Sequence, residues 1–305
     1  MTAEHPPQPH SLLVWFSDQP YLLLSLTSLF WAGNLVLGRY VSGHVPPVTM
    51  ACVRWIGAFF LLLPFAWPHL RRDWPILRAH IPLMLMLAFT GFAANTVLAY
   101  WGLKYTQALN ALLIQSAGPL CVALWTLILF GVRLTLAQLL GIAASLLGVL
   151  VIILRGDLLA LASVEINKGD AMVAAALLVF GIYSALMLRR PVTHPMSLIA
   201  FTTGCGALMT IPLNIWELAS GAPLVLDMLT LVTLIYMIIF PSALAYLFFN
   251  RGIALIGPNR AAPFFHMMPV FGSAMAIVFL GEKPELFHVV GYVLVLAGVF
   301  IASRR

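Results

Sequence analysis

Apolar residues run along this chain in long blocks, and the polar residues gather between the blocks instead of alternating with them. Ten blocks reach or approach the ~20 residues a helix needs to cross the hydrocarbon core of a bilayer. They are Tyr21–Gly38, Pro47–Ala66, Ile81–Tyr100, Ala108–Phe130, Leu136–Leu154, Met172–Leu188, Met196–Trp216, Leu229–Phe249, Ala261–Leu280 and Phe287–Ala302. The longest stretch outside them is the N-terminal tail, residues 1–20. No gap can hold a separate catalytic domain, so function is expected inside the bilayer. The predicted fold class is an all-α membrane protein of ten transmembrane helices.

Composition narrows the alternatives. Hydrophobic residues make up 62% of the 305 and charged residues only 9%, against about 25% charged in an ordinary soluble domain. Such a chain cannot cover a water-facing surface, and it is too apolar to stay disordered. The net charge of +6 does not point to nucleic acid, because the basic residues are scattered one to three at a time and form no stripe. The tail lacks Lys and Arg, so it is not read as a secretory signal. Cys52, Cys121 and Cys205 fall within apolar blocks without metal-ligand spacing and read as small packing residues.

Charge also sets an orientation. With ten crossings both termini share a side, and that side carries ten of the sixteen Lys and Arg; five lie opposite, and Arg54 falls within the second block. The excess of basic residues predicts that both termini are cytoplasmic.

A repeat emerges when the sequence is shifted by 150 positions. The shift pairs Phe30 with Phe180, Arg39 with Arg189, Gly102 with Gly252, Pro119 with Pro269, Gly131 with Gly281, Gly141 with Gly291, and Gly148-Val149 with Gly298-Val299. We read the tail 1–20 followed by two five-helix units, 21–154 and 171–302. Five is odd, so the second unit enters from the opposite face and the repeats are inverted. That architecture is characteristic of secondary transporters, with a site near the midplane between the repeats.

The run Phe279-Leu280-Gly281-Glu282, then Gly291 and Ala297-Gly298-Val299, together with Trp31-Ala32-Gly33-Asn34, Gly38-Arg39 and Arg54, resembles the ten-helix EamA branch of the drug/metabolite transporter superfamily. More narrowly the chain is similar to the YddG-type aromatic amino acid exporters. The first repeat departs from the pattern at Gly131-Val132, where many relatives carry an acid. The resemblance implies a bacterial inner-membrane exporter of small neutral solutes, amino acids including aromatic ones, working by alternating access. Other metabolites or drugs are the alternative cargo.

The membrane interior holds few charges. No Asp or Glu falls mid-block, which argues for facilitated diffusion or for coupling of another kind. Arg54 either attracts a substrate carboxylate or caps carbonyls and snorkels to the interface. Thr27, Trp31, Asn34 and Gly38 share one helical face, Asn95, Thr96, Ala99 and Tyr100 form a polar stripe, and Tyr246 and Asn250 lie four apart. The shift of 150 places Thr96 on Tyr246, Tyr100 on Asn250, Gln115 on Phe265, Ser116 on His266, and Asn34 on Ser184 beside Tyr183. The expected cavity residues are Trp31, Asn34, Arg54, Tyr100, Trp101, Gln115, Tyr183, Tyr246, Asn250 and His266. For any one of them, bonding to a neighbouring helix is an equal reading; their recurrence supports the set. Pro119 and Pro269 are candidate hinges. Gly141, Ser145 and Gly148 on the fifth block and Gly291 and Gly298 on the tenth give small faces for helix packing or a homodimer. No hydrolase, zinc-protease or nucleotide-loop motif occurs, and neither metal nor cofactor is expected; an intramembrane enzyme is the competing class.

Overall fold

The computed structural model describes residues 12–115, 117–131, 135–153, 167–256, 264–265 and 267–303. A short helix, Leu12–Ser17, precedes ten apolar helical segments. These are α1 (Pro20–Tyr40), α2 (Pro47–Ala79), α3 (Ile81–Tyr105), α4 (Ala108–Gln115 continuing as Gly118–Phe130), α5 (Leu136–Ile153), α6 (Lys168–Arg189), α7 (Pro195–Ala219), α8 (Met228–Ile256), α9 (Met267–Leu280) and α10 (Leu286–Ser303). Six of them are long and apolar enough to cross a membrane, and the halves of α4, set at 43° to one another, count as a seventh. Among the described residues there is no β-strand beyond an isolated Ser42–Val45 bridge.

Proline starts several of these helices, at Pro20, Pro47 and Pro195, where its missing N–H costs nothing. Pro119 likewise stands in the first turn of the second half of α4. One boundary differs from expectation: α2 runs on to Ala79 instead of stopping near Ala66. Its buried positions Leu62, Ala66, Asp73 and Leu77 keep one stripe against α7, while Pro64, Pro68 and Pro75 all lie on the exposed side. Thirty-three residues span about 50 Å, well beyond the ~30 Å hydrocarbon core. The end that carries Arg71, Arg72, Asp73 and Arg78 projects from it.

The packing obeys the repeat. The most extensive contacts join α5 to α10, α2 to α7, α3 to α6, α8 to α1, α4 to α6 and α9 to α1. Exchanging each helix for the one five places away turns this set into itself. Left-handed glycines end both α4 and α9, with Gly131 and Gly281 each at φ 65°. The α5–α10 contact uses the predicted small face within the chain: a Cβ on Gly148 would stand 2.7 Å from the Gly291 carbonyl oxygen.

Carboxylates tie the ends. Glu217 on α7 accepts the Val48 and Thr49 N–H groups at 3.2 and 2.8 Å, capping α2. Asp73 on α2 accepts the His194 N–H and the Ser197 hydroxyl, each at 2.8 Å, where α7 begins. Glu282 accepts the Ala108 and Leu109 N–H groups at 3.0 Å. Fully buried Asp170 accepts from Thr106 and Asn110, and Asn110 Oδ1 meets His288 at 2.7 Å. Outward-facing Phe60, Phe65, Leu208, Trp216, Val278, Phe279 and Phe300 leave an apolar exterior suited to lipid.

Candidate substrate cavity

Two π-helical turns shape the interior: Phe89–Ala93 in α3 and Ile238–Leu244 in α8, at corresponding positions of the two repeats. A π turn displaces the regular i→i−4 ladder and turns backbone carbonyls toward other donors. Trp55 Nε1 donates to the Phe92 carbonyl at 2.8 Å, and Trp31 Nε1 donates to the Pro241 carbonyl at 3.1 Å. Both indoles are thereby fixed in orientation.

Arg54 of α2 lies beside the second π turn and is only 5% exposed. Its Nε donates to Ser242 Oγ at 2.6 Å. Its Nη1 donates to the Tyr100 hydroxyl at 2.9 Å and to Asn34 Oδ1 at 3.2 Å. Its Nη2 reaches the Pro241 carbonyl at 3.4 Å. The guanidinium carbon stands 4.4 Å from the centroid of the Trp55 ring, a cation–π arrangement. Every one of these partners is neutral. Among the described residues no carboxylate pairs with Arg54; ion pairs such as His44–Asp227, Arg72–Asp73 and Arg251–Asp18 lie elsewhere. A buried cation held only by dipoles is poised for an anionic partner.

Arg54 borders a cavity of about 70 Å³. Asn34, Tyr100, Asn95, Thr96 and Gln115 supply its polar lining; Trp31, Phe180, Tyr246, Phe265 and Met268 supply most of the rest. Trp31 packs against Tyr246 and Phe265 with ring centroids 5.6 and 5.4 Å apart. Pockets for drug-sized ligands measure roughly 300–1000 Å³, and this cavity is smaller.

Six of the ten residues expected from sequence therefore meet at one cavity: Trp31, Asn34, Arg54, Tyr100, Gln115 and Tyr246. Three others stand outside its lining. Trp101 follows Tyr100 and so points about 100° away around α3. Asn250 shares the face of Tyr246 but sits a full turn further along α8. Tyr183 packs behind the wall, against Phe180 and Phe92 at 5.4 and 5.7 Å. His266 lies outside the described residues. The lining also includes Asn95, Thr96, Phe180, Phe265 and Met268. Asn95 and Thr96 were visible as part of the α3 stripe. Ser242, which anchors Arg54, was hidden in an apolar block.

The cavity is asymmetric in charge. The shift that superimposes the repeats puts Gly204 and Cys205 at the places of Arg54 and Trp55. Among the described lining residues the one cation comes from the first repeat. Among the described residues there is no group of three His, Cys, Asp or Glu able to hold a metal.

A mostly helical chain with an apolar exterior, duplicated packing and a polar interior cavity defines a multi-pass membrane transporter. The EamA-like transporter family profile matches residues 19–154 and again 167–304, and the chain belongs to that family, within the drug/metabolite transporter superfamily. It is 29% identical to an uncharacterized transporter, YyaM, of Bacillus subtilis over 93% of each chain. It is 27% identical to an uncharacterized transporter of Archaeoglobus fulgidus over 95% of this chain and 99% of the other. A probable amino-acid metabolite efflux pump of Salmonella typhimurium is 27% identical over 92% of this chain and 93% of its own. A solved crystal structure, 18% identical, superimposes with a TM-score of 0.64 over 93% of this chain and 97% of the other, which supports the fold.

Proposed function

We propose that this protein is an exporter of small neutral amino acids, aromatic ones included, that works by alternating access and carries out no chemistry on its cargo. The observation that carries this reading is Arg54: a buried cation at a cavity wall, bonded to Asn34, Tyr100, Ser242 and Pro241 and to no carboxylate among the described residues. The carboxylate of an amino acid supplies the missing charge. Trp31, Tyr246, Phe180 and Phe265 line the cavity as well, so an apolar or aromatic side chain finds ring faces to pack on. With Arg54 as the one full charge among the described lining residues, the cavity favours a zwitterion over a solute of high net charge. The Salmonella relative's name as an amino-acid metabolite efflux pump points the same way.

Transport requires the 70 Å³ cavity to open first to one side and then to the other. We assign the hinges to Pro119, at the 43° break of α4, and Pro269 in the first described turn of α9. The mobile units are the two repeats, 21–154 and 171–302, following the tail 1–20. Both termini face the cytoplasm of a bacterial inner membrane, by the distribution of basic residues. Gly148 and Gly291 are used within the chain, so self-association through α5 and α10 relies on outward residues such as Leu139, Leu147, Val289 and Val293.

Counterflow in proteoliposomes tests the reading. Labelled Phe, Trp and Leu should exchange and be recovered unaltered, with Lys and Glu excluded. Movement of Lys or Glu as fast as Phe, or chemical conversion of the solute, would overturn it.

A further inference from the structure

One polar atom at the cavity has no role in the network just described. Asn95 lies on α3 and lines the cavity. Its Oδ1 is buried and has no hydrogen-bond partner among the described residues. Buried side-chain acceptors are nearly always paired, because an unpaired one has given up water for nothing. The Arg54 donors do not serve it, since their acceptors are Ser242, Asn34, Tyr100 and Pro241. Asn95 precedes Tyr100 by five residues, about 7.5 Å along the same helix. One helix thus brings to one cavity a residue that touches the Arg54 guanidinium and an acceptor awaiting a donor.

The remaining lining determines what that donor is. Among the described residues no Asp or Glu lines the cavity. The walls offer Trp31, Phe180, Tyr246 and Phe265, whose ring faces attract cations. An orphan amide oxygen among aromatic faces suits an ammonium group. We propose that Asn95 determines specificity by accepting the α-ammonium of the substrate while Arg54 takes its carboxylate, so that the cavity selects zwitterionic amino acids over the des-amino carboxylates of the same shape. This rests on the reading of Arg54 as the carboxylate site. A neutral acceptor fits the task better than Asp or Glu, because a second full charge beside Arg54 would form an internal ion pair and close the site.

The experiment compares L-phenylalanine with 3-phenylpropanoate, and L-leucine with 4-methylpentanoate, in proteoliposomes holding the full chain. Wild type should move each amino acid at least ~10-fold more efficiently than its des-amino partner, as expected for an acceptor left unpaired by the wrong ligand. Asn95→Leu should lose that preference by lowering amino acid transport while leaving carboxylate transport in place. The retained carboxylate flux shows that the variant is folded. Asn95→Gln, which keeps a neutral amide acceptor, should retain recognition of the ammonium. If Asn95→Leu does not reconstitute, the wild-type ratio decides: equal transport of phenylalanine and 3-phenylpropanoate overturns the proposal. Good phenylalanine transport with an unchanged ratio in Asn95→Leu overturns the role of Asn95 alone. Failure of wild type to move either compound of both pairs overturns the Arg54 reading, and the proposal with it.

Discussion

The hydroxyl of Tyr100 lies 2.9 Å from the Arg54 guanidinium, from which it accepts a hydrogen bond, and it gives its own proton to Asn34 Oδ1 at 2.6 Å. One phenol therefore links a charged side chain on α2 to an amide on α1. Tyr100→Phe removes both bonds and keeps the ring. A net hydrogen bond is worth about 1 kcal/mol, so the expected result is an increase in KM for phenylalanine of roughly five-fold, with folding preserved. Saturation kinetics of counterflow measure it, and an unchanged KM would mean that the pair plays no part in holding solute.

Arg54 itself makes a sharper test. Arg54→Gln removes the cation but keeps a polar side chain for Asn34 and Ser242. Charge-assisted bonds contribute about 1.5–3 kcal/mol, so phenylalanine counterflow should fall on the order of 10–100-fold. Thermal unfolding should change little, because the substitution also removes a buried charge whose desolvation opposes folding. The opposite pattern, normal flux in an unstable protein, would assign Arg54 a purely architectural role.

The junction of α2 with α7 should respond to acid. Outside the hydrocarbon region, the His194 ring stacks on His69 at 3.6 Å, and its Nδ1 accepts the Met196 N–H at 3.3 Å. Burial lowers the His194 pKa, the neighbouring His69 and Arg72 lower it further, and Asp73 opposes them. The unfolded chain therefore takes up a proton at higher pH than the folded one. Stability is complete above the ordinary histidine value of 6.5 and declines as pH falls from there toward the lowered value of the fold. The apparent Tm should drop between pH 7.5 and about 5, and His194→Asn, which can still cap α7, should flatten that slope. A slope unaltered in the variant would place the titration elsewhere.

The α5–α10 contact leaves no space for a methyl group. A Cβ at Gly148 would meet the Gly291 carbonyl oxygen at 2.7 Å and Val295 Cγ2 at 2.9 Å. The nearer obstacle is backbone and cannot rotate aside. Gly148→Ala should cost about 1–3 kcal/mol through overpacking, seen as a lower apparent Tm in detergent. An unchanged Tm would show that the two helices slide apart without penalty.

Much of this architecture was legible because a bilayer imposes a simple rule on sequence. Apolar blocks of fixed minimum length gave the helices, and the shift of 150 gave the duplication that the packing of α5 on α10 and of α2 on α7 repeats. That shift also matches Gly131 with Gly281, which share one left-handed geometry. Trp31, Asn34, Tyr100 and Gln115 could be found because polar side chains in an apolar helix must face something other than lipid. The extension of α2 to Ala79 was less visible, since charges at Arg71, Arg72 and Asp73 resemble a loop unless the bonds of Asp73 to His194 and Ser197 are known.

The amino-acid sequence on its own determined the class of protein, the number of apolar segments, their duplication and the scarcity of formal charge, because each depends on neighbours along the chain. Tertiary structure alone decided which polar groups face one another. The bond from Arg54 to Ser242 joins residues 188 positions apart, and the carbonyl of Pro241 is turned toward Trp31 by a π turn that no local pattern announces. One residue of rotation swings a helical side chain by about 100°. That is why Tyr100 reaches the cavity and Trp101 does not.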